Sequence, residues 1–385
     1  MKMKRALALL LAGMMLLGLL AGCGNNANTA SDAPNGESAA PGVSDSGEEG
    51  TYARKTEEGT LTVGLTDTAD SFDPAVSFNS VGIQLVYDSI LVKDPFTGEI
   101  TSEIAESWEY IDDCTLVIQF RDDVYFSNGE KMTAEDALFS LNRMITENSR
   151  WSTFVDAFNF EKSSADGQTL TLITDEPFGP GLNYLTTRYA SVLCKSYVES
   201  CSDEDFWDKP VGTGPYECQE NVSGSHSTYV AKTDYWGEVP EITTITTRYY
   251  AEQSSMMLDY ENGDLDMAFD LSVSDADRAL NTGIEHSEAV LAPVYDTYSI
   301  CLPEYVEAFE DIRVRQAIAH ALDAAAITAS AMGALGVVAD STLPTGVDYK
   351  ISVGGYEYDP ELAQSLLDEA GVKPGDLNLR FVVVN

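Results

Sequence analysis

The chain has 385 residues, room for two or three domains, and its 44% hydrophobic and 10% aromatic residues can fill a large core. Its 63 acidic residues outnumber 22 basic ones, for a formal net charge of −41 at pH 7. A field of that sign repels phosphate backbones and argues against a nucleic-acid partner.

The N-terminus reads as a targeting segment. Lys2, Lys4 and Arg5 form a positive start, and Ala6 to Leu20 is an uncharged apolar run, short for a bilayer-spanning helix. This is the pattern of a signal peptide over residues 1–22. It ends in Leu20-Ala21-Gly22-Cys23, which resembles the lipobox of bacterial lipoproteins, where the cysteine thiol receives a diacylglyceryl group. Two acyl chains on one residue suffice for stable anchoring to a membrane. Residues 23–57 are rich in Asn, Ser, Ala, Gly and Asp, with almost no large apolar residue. Such a composition cannot fill a core and predicts a lipidated flexible linker. Its root-mean-square reach would be roughly 30 Å.

The folded body is expected from about Gly59. Thr60 to Leu65 alternates and predicts a strand, and Val81 to Val92 predicts a helix leading into a strand. Leu116, Ile118 and Phe120 alternate with polar or smaller neighbours as another strand. Thr133-Ala134-Glu135-Asp136 fits a capping box, with Leu138, Leu141 and Ile145 on one face of the helix that follows. Asp166-Gly167 precedes a strand over Thr169 to Thr174, and Gly263 reads as a helix C-cap before alternating Leu265, Met267 and Phe269. Asp311 can cap a helix carrying Val314, Ile318, Ala321 and Leu322. Asp359-Pro360 opens another, which Gly371 ends. Leu377 to Val384 reads as a strand. Strands and helices are interspersed, so the class is mixed α/β. Besides Cys23 there are Cys114, Cys194, Cys201, Cys218 and Cys301, with no C-x-x-C spacing for zinc. A Cys194–Cys201 disulfide and buried free thiols are both open.

Several blocks, in order from residue 71 to 371, resemble the family 5 extracellular solute-binding proteins. They are Ser71-Phe72-Asp73-Pro74, Ile104 to Trp108, Phe120 to Glu130 with Thr133 to Asp136, Pro210 to Tyr216, Asp311 to Ile318, and Tyr358 to Gly371. The resemblance implies a periplasmic-binding-protein-like bilobed clamp of class II type with an extra inserted domain. Residues 58–90 and 211–290 would form the first lobe, 91–210 the inserted extra domain and 291–385 a partial second lobe. Family members are usually longer, so the second lobe is expected to be incomplete, with the sequence truncated at its C-terminus. The implied role is the binding lipoprotein of a peptide or nickel ABC importer, a monomer on the extracytoplasmic face of the cell membrane. It would hand a small solute, an oligopeptide first, to the permease subunits. Nickel chelates, haem and sugars are open alternatives.

Phe78 and Asn79, after the Ser71–Pro74 loop, Asp270 near the expected hinge and Tyr298 near the crossing into the second lobe are the ligand candidates. Each block also has a physical reading of its own. Gly212 and Gly214 would allow positive φ in a tight turn. Arg313 and Arg315 would tie a helix start to acids or carbonyls. Trp108 and Phe126 would be core. No cofactor or metal is expected: Asp264, Asp266 and Asp270 lack the central glycine of a calcium loop. An exported hydrolase is disfavoured, since there are three histidines (His226, His286 and His320) and neither H-E-x-x-H nor G-x-S-x-G occurs. His320, within a predicted helix, reads as a packed or surface residue rather than a base. A solute receptor for a sensor kinase is a further alternative.

Overall fold

The computed structural model describes residues 57–380, except 67–70, 78–79, 95–96, 148, 203–207, 292–296, 345–346 and 348–349. The signal peptide, Cys23, the linker, Phe78 and Asn79 lie outside the described residues. The protein divides into two compact units, one up to Ser272 and one from Val273 on.

The first unit holds two cores. One surrounds a five-stranded sheet whose parallel centre is β1 (Thr60–Leu65). The strand order is β11 (Met267–Ala268), β1, β10 (Thr244–Tyr249), β9 (His226–Ala231) and β8 (Tyr216–Val222). Residue 60 therefore pairs with 244 and residue 63 with 267, while β8 to β10 form an antiparallel meander. β1 is buried on both faces, as expected of a central parallel strand. At Gly64 a Cβ would come within 2.7 Å of Leu265 and Met256, so glycine lets a helix lie directly on the sheet. Val63, Phe72, Ile83, Val86, Tyr229 and Ile245 fill this core.

β2 (Leu91–Lys93) and β3 (Ile100–Ser102) pair as a separate two-stranded antiparallel ribbon. The second core belongs to a four-stranded antiparallel sheet, β4 (Ala105–Asp112), β5 (Thr115–Phe120), β7 (Thr169–Ile173) and β6 (Ser164–Asp166), in that order. Leu116, Ile118 and Phe120 alternate inward from β5, and Leu170 and Leu172 from β7. Phe126 is buried and Trp108 half-buried against the same core. Over this sheet lies the capped helix Ala134–Thr146. The Asp136 carboxylate accepts the Thr133 N–H at 2.9 Å and its hydroxyl at 2.7 Å, and also takes Lys195 N–H at 2.9 Å. One carboxylate thus secures two helix starts, since Lys195 opens the helix Lys195–Ser200. The buried stripe of Ala134–Thr146 differs from the expected one. Ala134, Ala137, Leu141 and Met144 face the core, Leu138 is half-buried, and Ile145 is exposed. Two alanines permit close approach of helix to sheet, and that sets the face. Cys194 and Cys201 flank the helix Lys195–Ser200 as free thiols.

Gly212 and Gly214 are not at positive φ. They are glycine because the turn lies against the end of the helix Ser80–Val86. A Cβ on Gly212 would sit 2.0 Å from the Val86 carbonyl oxygen, and one on Gly214 2.6 Å from the Val86 carbonyl carbon. Gly214 N–H donates to that Val86 oxygen at 2.8 Å, and Ser127 N–H donates to Gly212 O at 3.0 Å. The requirement is for close backbone approach rather than for a left-handed conformation.

In the second unit the helix Ile312–Ala321 is capped by Asp311, whose carboxylate accepts Arg313 N–H at 2.8 Å and the Arg313 guanidinium at 2.6 Å. The same guanidinium donates to Glu369 O at 2.6 Å, at the end of the helix Pro360–Glu369. Arg315 reaches Phe309 O and the Glu304 carboxylate. Val314 and Ala317 are the buried positions of Ile312–Ala321, while the expected Ala321 is exposed and Ile318 and Leu322 half-buried. His320 binds Glu357 O through Nδ1 at 2.7 Å and meets Tyr356 edge-on, so it fastens the approach to the last helix. Asp359 accepts Leu362 N–H at 2.9 Å with Pro360 in the first turn, and Gly371 ends the helix at φ +77. Leu377–Arg380 forms no strand, contrary to expectation, and residues 381–385 lie outside the described residues. The apolar run there carries the composition of a strand, yet Leu377–Arg380 pairs with no strand among the described residues.

Candidate functional site

Of the four expected ligand residues, Asp270 and Tyr298 are described, and they stand on different units. Asp270 is exposed just after β11, at φ +54, and its carbonyl accepts Gln253 Nε2 at 2.6 Å. A non-glycine residue in that region is uncommon and marks a constrained turn. Tyr298 is 89% exposed in an irregular stretch. Asp266, considered with the acidic triplet, has a structural role, accepting Thr62 N–H at 2.8 Å. Among the described residues no group of three or more His, Cys, Asp or Glu is placed to hold a metal ion.

The loop that leads to Phe78 and Asn79 is firmly built. Ser71 Oγ accepts Asp73 N–H, Asp73 accepts Ala75 N–H, and Ser77 donates its hydroxyl to Ser71 O. Asp73 also pairs with Arg143 at 2.7 Å, with Asp73 almost wholly buried. Ser149 donates to Ala75 O. Phe72 is buried and meets Tyr229 edge-on at 6.2 Å. Loss of either partner from a buried ion pair is strongly destabilising, so this loop is a fixed shelf.

Sequence reasoning missed a second polar cluster, at the junction of the two cores. Asp88, 4% exposed, follows the helix Ser80–Val86. Its carboxylate accepts Tyr235 OH at 3.0 Å and Trp236 Nε1 at 2.9 Å, and its N–H donates to Thr213 Oγ1 at 3.3 Å. Burial raises the Asp88 pKa, while the Trp236 and Tyr235 bonds and the nearby Lys232 charge oppose the shift. Burial, then the charge of Asp88, pushes the neighbouring Glu103 up to about 8. Lys232, also buried, donates to Thr213 O at 3.1 Å and Gly212 O at 3.4 Å, and burial lowers its pKa. Arg121 lies over Trp236 at 4.9 Å and pairs with Asp123 at 2.6 Å. The available signal is an acid in an apolar run, Val86-Tyr87-Asp88, and an aromatic pair, Tyr235-Trp236. Neither specifies the other as its partner.

Beside this cluster is a cavity of about 390 Å³, walled by Tyr125, Tyr235 and Trp236 with Lys232 and exposed Glu217 and Asp234. A wider, shallow groove of about 600 Å³ runs past His226, Arg248, Tyr250 and Asp259 on the five-stranded sheet.

Glu103 gives a pH prediction. A carboxyl whose pKa is about 8 in the fold and 4.5 when free takes up a proton on folding between those values. Its protonated form is the stabilising one, so stability falls as pH rises through that window. Glu103→Gln should match the wild type in urea denaturation near the lower end. Near the upper end it should be more stable, on the order of a few kcal/mol. A constant difference between the two across the window would show that Glu103 is not held protonated.

Residues 99–385 match the family model of bacterial extracellular solute-binding proteins, family 5, middle part. The nickel-binding periplasmic protein of Escherichia coli is 26% identical over 295 residues, covering 74% of this chain and 56% of that protein. The dipeptide-binding protein of the same organism is 26% identical over 313 residues, covering 72% and 56%. The chain thus spans little more than half the length of these relatives. Among solved structures, NikA from Brucella suis in complex with Fe(III)-EDTA superposes with TM-score 0.68 at 24% identity, covering 81% of this chain and 64% of that one. DppA from Helicobacter pylori in complex with peptide STSA gives TM-score 0.65 at 22% identity, covering 81% and 66%. These likenesses show a shared periplasmic-binding-protein fold. With the family model matched over most of its length, the chain belongs to the family 5 bacterial extracellular solute-binding proteins.

Proposed function

We propose that this protein captures solutes, peptides first, outside the membrane for an ABC importer, and that a lipid on Cys23 holds it there. The observation that carries the reading is the family match over residues 99–385, with relatives named for dipeptide and nickel binding. The periplasmic relatives favour an extracytoplasmic location, and the Leu20–Cys23 box favours the anchor. In this reading residues 58–90 and 211–290 belong to the first lobe, 91–210 to the inserted domain and 291–385 to the second lobe. The pairing of β1 with β10 and β11, around a separately sheeted stretch from β4 to β7, supports that division. Phe78, Asn79, Asp270 and Tyr298 are proposed to face the solute. The fixed Ser71–Ser77 loop would present the first two, and solute capture would be a hinge closure with the permease as the receiving partner.

Mass spectrometry of small molecules co-purifying with the full-length protein tests the solute. Short peptides of mixed sequence are expected. A homogeneous sugar or a metal complex in their place would contradict the peptide assignment.

The anchor has its own test. Mature protein should begin at Cys23 and partition into detergent, and Cys23→Ala should be released or remain unprocessed. A Cys23→Ala protein that stays membrane-bound after cleavage of its signal peptide would refute lipidation.

A further inference from the structure

The cavity beside Asp88 has a chemistry that the transport reading does not use. Lys232 lines it, 8% exposed, with the carbonyls of Thr213 and Gly212 as its acceptors. An ammonium has three N–H groups; besides these two carbonyls, Nζ faces the Tyr235 ring at 5.8 Å from its centre, so every partner it has is neutral. No carboxylate of the described residues lies within ion-pair distance of it, although Asp88, Glu217 and Asp234 are near enough to bias its charge. Glu217 and Asp234 are exposed at the cavity rim, and Tyr125, 51% exposed, forms part of the wall with Tyr235 and Trp236. Asp123 also lines the cavity but is engaged by Arg121.

These groups discriminate among ligand classes. A simple anion would meet Lys232 but also the two rim carboxylates. A simple cation would meet the rim carboxylates but also the buried ammonium. A compact molecule carrying both charges satisfies both ends, and its apolar part would lie along the aromatic wall. A volume of about 390 Å³ accommodates such a molecule. Burial disfavours the charged form of Lys232, and pairing with an incoming carboxylate would offset that cost.

We propose that this cavity is a second binding site, for a free α-amino acid, whose carboxylate is received by Lys232 and whose ammonium is received by Glu217 and Asp234. All of these groups lie within the first unit, and the site depends on neither lobe closure nor the identity of the transported solute.

The test is titration of the full-length protein with L-phenylalanine, followed by calorimetry and ligand-observed NMR. Two derivatives serve as probes: the amide of phenylalanine, which lacks the carboxylate, and its N-acetyl form, which lacks the ammonium. Free phenylalanine should bind saturably, and each derivative at least about tenfold more weakly, the loss expected for one charged hydrogen bond. Lys232→Met should weaken the free amino acid to the level of the amide. Because Lys232 also holds the Gly212–Thr213 turn, the exposed variants Tyr125→Ala and Asp234→Asn provide the independent reading. Both should retain the wild-type unfolding transition and weaken binding. Absence of saturable binding to the wild type would overturn the proposal. Equal affinity for either derivative would do so too, as would binding that Tyr125→Ala and Asp234→Asn leave unchanged, since the amino acid would then be held elsewhere.

Discussion

The first unit depends on one close backbone approach, the Gly212–Gly214 turn lying against the end of the helix Ser80–Val86. With a Cβ at Gly212 only 2.0 Å from a backbone oxygen, no other residue fits without moving the main chain. The hydrogen bonds that converge there come from separate parts of the sequence. Gly214 N–H binds Val86 O, Ser127 N–H binds Gly212 O, and Lys232 binds the carbonyls of Gly212 and Thr213. Val86 belongs to the core of the five-stranded sheet, whereas Phe126, next to Ser127, belongs to the core of the four-stranded sheet. The seam is therefore where two cores are joined, and the Asp88 cluster and the aromatic cavity follow from it.

That seam concentrates charge in a place where water is excluded. The protein carries a net charge of −41, yet the acids that shape its interior are few and specifically held. Asp73 is paired with Arg143, Asp136 takes three donors at two helix starts, and Asp88 takes the polar edges of two aromatics. Buried carboxylates without such partners would neutralise or destabilise the fold. Among the described residues the buried acids are Asp73, Asp88 and Asp136, and they serve as fasteners between segments distant in sequence.

Much of this is legible in the sequence where the determinant is local. The alternation of Leu116, Ile118 and Phe120, the caps at Asp311 and Asp359, and the glycine stops at Gly263 and Gly371 are set by neighbours a few residues away, and they recur in the structure. Features set by distant partners are not legible. Ile145 is expected inward because it is large, but Ala134 and Ala137 decide how closely the helix meets its sheet. Gly212 and Gly214 read as conformational glycines, whereas their constraint comes from Val86, far back in the sequence. Asp88, Glu103 and Lys232 carry no motif, since what defines each is a partner on another strand or turn. The family blocks mark much the same ground: Ser71–Pro74 and Pro210–Tyr216 hold loops and the seam in place, so they speak for the fold more than for the solute.

The seam is tested most directly by chemical denaturation of Gly212→Ala beside Gly179→Ala, whose added methyl meets nothing within 4 Å. Gly179→Ala should stay within about 0.5 kcal/mol of the wild type, as an unconstrained surface change does. Gly212→Ala should lose about 3 kcal/mol or more, because a clash with main chain cannot be relieved by a side-chain rotamer. Equal stability of the two variants would contradict the view that the close approach of Gly212 to Val86 holds the two cores together.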